Sequence, residues 1–250
     1  MNWPSDDTVL GDETTRGGQR ARRRARSLEA AAIAGVLYTV LTLAALVLLS
    51  RIPDLSLSDA EMTSWFDDTG HQAWLILGLN LASVSAIALL WFVAVIRRRL
   101  GDREDRFFGT VFFGSGIAYA VVWVTAAAMV AAPAVAMNAL GARSVGADSV
   151  SLSAGLGASL LLVVAPRLQA VFILTVSNLI IRSGFLPRWV AYVGFLTGLI
   201  MFIVPLVTTS IGLSFPIWVL LVSIVILLNR PTMHDRVDSD DEPDDSVDDL

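Results

Sequence analysis

Residues 73–99 read AWLILGLNLASVSAIALLWFVAVIRRR. From Ala73 to Ile96 no side chain is charged, and then Arg97, Arg98 and Arg99 follow in succession. A helix needs about 20 apolar residues to cross a hydrocarbon core about 30 Å thick. An ionised side chain at the bilayer centre costs about 2.5–3.5 kcal/mol. An uncharged run of this length, stopped by three arginines, therefore predicts a membrane-spanning helix. Barrel strands would instead alternate in polarity over segments of about 10 residues.

The pattern recurs on both sides of this run. The 250-residue chain is 55% apolar, with only 16% charged residues and a mean hydropathy of +0.66. A soluble domain carries about 25% charged residues. Apolar runs are predicted as helices over 29–50, 73–96, 107–132, 155–181, 189–207 and 211–228. The expected fold is thus all-α, a polytopic transmembrane bundle of six helices. It divides into a disordered basic tail (1–27), the membrane domain (28–229) and a disordered acidic tail (230–250). The first run is too long for the apolar region of a signal peptide, about 7–15 residues, and no small-residue cleavage site follows it.

Arginine placement sets the expected orientation. There are eighteen basic residues, all Arg, and eighteen Asp against five Glu, a bias that fits a high-GC prokaryote or a salt-adapted organism. With the N-terminus inside, fifteen arginines fall on the cytoplasmic side and only Arg51 and Arg143 fall outside. The expectation is a cell-membrane protein with both termini cytoplasmic. The remaining Arg167 lies inside the fourth run.

Arg167 follows Pro166 and has no Asp or Glu deep in any run to pair with. An ionisable residue within a membrane segment is a functional-site hypothesis by default. Gln169 and Asn178 share its helix, and Asn80 lies near the middle of the second run. One reading groups Arg167, Gln169, Asn178 and Asn80 as a polar pocket for an anion, with the carbonyl freed by Pro166 at residue 162 as a local acceptor. The other starts the helix near Arg167, at the outer headgroups, and makes 150–165 a re-entrant or surface segment. Both stand on the sequence.

The outer loop between the first two runs carries Ser58-Asp59-Ala60-Glu61, the pattern of a capping box. Met62, Trp65 and Phe66 follow at i, i+3 and i+4, so a short helix is expected at the bundle mouth or on the membrane surface. It reads as a Trp-anchored connector or, functionally, as a lid. Asp67, Asp68 and His71 form a sparse cluster, with Gly70 expected to end that helix; a solvated acidic loop explains them as simply as a metal site does. Gly194 and Gly198, Gly114 and Ala118, and Gly116 and Ala120 give small-residue faces suited to close helix packing.

Chemistry beyond this is thin. Cysteine is absent, and no HExxH, GxSxG or phosphate-loop motif occurs. No cofactor and no nucleic-acid partner are expected. The cluster Arg16, Arg20, Arg22, Arg23, Arg24 and Arg26 would meet anionic lipid at about 1 kcal/mol per residue, so the expected partner is the bilayer itself. The nine acids between Asp235 and Asp249 read as a solvating tail. The functional expectation is a small transporter or an anion- or lipid-binding membrane protein. The alternative is a non-catalytic scaffold, assembly or regulatory component, with an intramembrane enzyme behind both.

After Phe185 the chain reads Leu186-Pro187-Arg188-Trp189, then a Gly-containing apolar helix, then Phe215-Pro216-Ile217-Trp218. This stretch resembles the C-terminal hairpin of a prokaryotic membrane-protein family catalogued as domain of unknown function 4386. The resemblance covers the last quarter of the chain and implies a bundle of roughly six helices. It brings no activity or binding residue with it.

Overall fold

A computed structural model describes residues 30, 32–100, 106–184, 186–203 and 209–228. Both expected tails, the N-terminal arginine cluster and the turn before the last helix lie outside the described residues. Among the described residues the chain is 88% helix and contains no strand. The elements are α1 (Ala32–Leu49), α2 (Asp59–Asp67), α3 (Thr69–Leu100), α4 (Arg106–Asn138), α5 (Ala147–Ser159), α6 (Ala165–Ser183), α7 (Arg188–Ile203) and α8 (Thr209–Leu228). A π-helical segment, Leu160–Val164, joins α5 to α6 without a break, so 147–183 is one helix of 37 residues. Four helices are long and apolar enough to cross a membrane: α1, α3, α4 and this composite. Arg188–Ile203 and Leu213–Leu228 are apolar but shorter.

The structure moves several expected boundaries. Gly70 does not end the loop helix. Asp68 does, with φ −71° and ψ 110°, and α3 begins at the next residue. The Asp68 carboxylate accepts from the Gly70 N–H at 2.7 Å, and its carbonyl accepts from the N–H groups of His71 and Gln72. Asp68 thus closes one helix and caps the next, so Asp67 and His71 belong to different helices rather than to one face. Pro133 lies inside α4, not beyond it. The helix runs on past it to Asn138, whose Nδ2 donates to Gln72 Oε1 at 3.1 Å.

The fourth run departs from the reading that starts its helix near Arg167. Residues 150–165 are neither re-entrant nor detached, since the helix is continuous through them. Pro166 has no N–H to donate, and its ring would press on the carbonyl four residues back. The helix accommodates this by widening by one residue just before the proline, so that the Ala165 N–H reaches Leu160 O. Single-turn widenings of this kind concentrate at functional sites.

Small and aromatic residues hold the bundle together. Gly116 lies against Val93 of α3 and Phe172 of α6, whereas Gly114 faces open space, so only one of the two small faces of α4 is a contact. Gly198 of α7 approaches Leu174 and the Ala170 carbonyl of α6. Phe215 lies at the centre of an edge-to-face cluster with Tyr38, Tyr119 and Phe172, the ring centroids 6.0, 4.9 and 5.4 Å away. The Thr39 hydroxyl donates to Pro216 O at 3.1 Å and ties α1 to α8. At one end α2 docks through Met62 and Phe66, both buried, and Thr63 Oγ1 donates to Val145 O at 3.3 Å.

Candidate functional site

Between α1, α4 and the α5–α6 helix lies a cavity of about 160 Å³. Tyr38 and Thr42 are one helical turn apart on α1 and so share a face. Tyr38 Oη meets Tyr119 Oη of α4 at 3.1 Å, both rings buried. Thr42 and Tyr119 line the cavity, and Gln169 joins them from α6. These three residues make a polar floor midway along their helices. Above it the walls are apolar: Leu46 and Leu49 of α1, Val130 of α4, Ala154 and Ala158 of α5, and Leu161 and Leu162 of the π-helical segment. Trp123 also lines the wall, but its Nε1 is already committed to Ser85 Oγ at 2.9 Å.

The floor is not self-satisfied. Thr42 is 1% exposed and Gln169 is 3% exposed. Thr42 lies beside Tyr38 and the Gln169 side chain beside Tyr119, but among the described residues neither Thr42 Oγ1 nor Gln169 Oε1 has a partner in good hydrogen-bond geometry. A buried polar atom without a partner costs about 1–3 kcal/mol. A dry apolar cavity of about 150 Å³ is large enough to hold benzene. This cavity is of that size, with two unused hydrogen-bonding atoms at its base.

The four residues singled out in the sequence are not brought together here. Of them, Gln169 alone lines the cavity. Helix geometry explains the separation. At about 100° per residue, Arg167 at i−2 and Asn178 at i+9 lie on the face of α6 opposite Gln169. Arg167 Nη1 donates to Val163 O at 2.6 Å, so its acceptor is the carbonyl at 163 rather than the one expected at 162. Asn80 is exposed and its amide donates to Ile76 O at 2.8 Å, within its own helix. Tyr38, Thr42 and Tyr119 went unnoticed in the sequence because attention fell on charge. The signal that could have found them is a hydroxyl pair one turn apart within an uncharged run.

Adjoining the cavity at the α2 end is a vestibule of about 310 Å³ lined by Arg51, Ile52, Trp65, His71 and Trp74. Ile52 is in the wall of both spaces. The His71 ring stacks on Trp65 with centroids 4.1 Å apart, and its Nδ1 lies 2.9 Å from Trp65 O. The Arg51 guanidinium lies over the Trp74 ring, 5.5 Å from its centroid. The ordered acids of the loop have local tasks. Glu61 completes the expected capping box with Ser58, and hydrogen bonds from the Ser58 side chain and backbone hold its carboxyl below the usual range. Hydrogen bonds from Ser56 do the same for Asp54. Among the described residues, no group of three or more His, Asp or Glu is arranged to hold a metal ion.

Comparison with known protein families, with curated proteins and with solved structures gives no match to this chain.

Proposed function

We propose that the chain crosses the cell membrane six times with both termini cytoplasmic, and that its cavity receives a slender, mostly apolar molecule whose inner end hydrogen-bonds to the floor. The four long apolar helices, the two shorter ones and the fifteen-to-two distribution of arginine support the six-span arrangement. The carrying observation for the ligand is the pair Thr42 Oγ1 and Gln169 Oε1, both buried and both without a well-formed hydrogen bond among the described residues. Among the described residues no charged side chain lines the cavity, so the inner end of the ligand is neutral. Thr42 can donate or accept and the amide oxygen accepts, which suits a hydroxyl. Such a protein serves as a small transporter or a lipid-binding membrane component.

The absence of Cys makes a direct test available. In vesicles, a Cys placed at Leu161 should react with N-ethylmaleimide, and 1-octanol should protect it better than octane does. A Cys at Ala170, which is buried outside the cavity, should stay inert. Adding Gln169→Leu should abolish the preference for the alcohol. Protection that is equal for octanol and octane, or that survives Gln169→Leu unchanged, would leave water as the only partner of the floor and end the proposal.

A further inference from the structure

The vestibule contains the cation that the cavity lacks. The loop and helix start between residues 51 and 71 carry five carboxylates, at Asp54, Asp59, Glu61, Asp67 and Asp68, yet none lies within ion-pair reach of Arg51. Four of them have other tasks. Asp54 accepts from Ser56 N and Oγ at 2.9 and 2.8 Å. Glu61 accepts from Ser58 N and Oγ at 3.0 and 2.7 Å. Asp59 Oδ1 takes the Ala147 N–H at 2.6 Å, and Asp68 takes that of Gly70. All five are exposed, and salt screens exposed charges over about 8 Å. Arg51 is thus held by Trp74 with its five donors uncommitted to any carboxylate among the described residues.

We propose that the vestibule is an anion subsite, with Arg51 as its ligand-binding cation, and that together with the cavity it takes a single-chain carboxylate amphiphile bearing a hydroxyl at its far end. This rests on the cavity reading above and adds the outer half of the ligand. The carboxylate pairs with the planar guanidinium between Trp65 and Trp74, side chains that sit readily at a membrane interface. The chain passes Ile52 into the apolar walls, and the terminal hydroxyl meets Gln169 and Thr42. Thr42 lies seven residues before Leu49 at the end of α1, about 10 Å at 1.5 Å per residue, and Arg51 follows two residues later, a separation that suits an extended chain of roughly ten carbons. Arg51, rather than Arg167, is then the arginine that meets the anion.

The experiment uses the full chain in phosphatidylcholine vesicles, with a Cys at Leu161 as reporter and N-ethylmaleimide as reagent. Protection is titrated with decanol, decanoate and ω-hydroxydecanoate. The expected order is ω-hydroxydecanoate, then decanoate, then decanol, with about tenfold between the first two, the value of one hydrogen bond that relieves a buried acceptor. Arg51→Gln should remove the advantage of acid over alcohol and leave decanol unchanged, and Arg51→Lys should restore part of it. Gln169→Leu should remove only the advantage of the ω-hydroxyl. Because ratios are compared between variants, differences in membrane partitioning cancel. If Arg51→Gln weakens acid and alcohol alike, or neither, the anion subsite is overturned while the cavity reading stands. If decanol and decanoate both fail to protect, both are overturned.

Discussion

A methyl group added at Gly157 would press on Val130 Cγ2 at 2.8 Å and on the Ala126 carbonyl at 3.0 Å, and the second is backbone that cannot turn aside. Gly155, half a turn away, faces open space. Gly157→Ala is therefore expected to destabilise by about 1–3 kcal/mol, as overpacked cores do. Gly155→Ala should be neutral or stabilise by up to about 1 kcal/mol through helix propensity. Thermal melts of the two variants side by side check this, and equal melting temperatures would mean that α4 and α5 are not in contact at this point. Gln169→Leu tests the cost of the site itself. Replacing the amide with a side chain of similar volume removes an unpaired buried acceptor, a gain of about 1–3 kcal/mol, and also the contact with Tyr119, a loss of about 1 kcal/mol, so stability is expected to hold or rise slightly while the preference for a hydroxyl ligand is abolished. A variant less stable than the parent by more than about 1 kcal/mol would show that Gln169 Oε1 is also bonded in the resting protein. Single polar residues were legible in the sequence, but their direction was not. Arg167 and Gln169 are adjacent in any window of sequence and opposite on the helix, and only the phase of the α5–α6 helix relative to α1 decides which of them turns inward.

At the level of elements, α2 is the part most exposed to solution conditions. Its N-terminus depends on the ionised Glu61 carboxylate, whose pKa is depressed by Ser58. A depressed carboxylate contributes stability that is present above its unfolded pKa, ~4.3 for Glu, and is lost as the pH falls through the folded value. Acidification below the ordinary carboxylate range should therefore loosen α2, and Asp54, depressed in the same direction by Ser56, should add to the effect. Hydrogen exchange of the α2 amides against pH is the measurement. Glu61→Gln should flatten the acid limb, and an unaltered limb would place the titrating group elsewhere. The capping box was readable because its chemistry is local, a serine and a glutamate three residues apart. The π-helical segment was not readable. Pro166 announced a disturbance in the fourth run, but whether a proline kinks, ends or widens a helix depends on what packs around it. Here the widening puts Leu161 and Leu162 in the cavity wall.

For the whole molecule, run lengths and arginine counts carry the topology. Reporter fusions after Arg188 should read cytoplasmic and fusions at Gly146 external, and a cytoplasmic signal at Gly146 would sink the six-span arrangement. Which faces turn inward was hidden by the solvent. In water a helix marks its buried face with apolar residues, but in lipid every face is apolar and the small residues go inside. Ala82, Ala86 and Ala88 of α3 are buried, while Val84, Ile87 and Trp91 are exposed. The 37-residue helix from Ala147 to Ser183 carries a further consequence. At 1.5 Å per residue it is about 55 Å long, against about 40–45 Å for a bilayer including its headgroups. In the proposed six-span arrangement it would lean or stand proud of the membrane, at an angle that changes with the thickness of the lipid around it. The π-helical segment lies near its centre and lines the cavity through Leu161 and Leu162, so in that arrangement a change of lean would bear on the cavity width. Lipid of different acyl length would then regulate the site without touching it, the membrane acting as the effector.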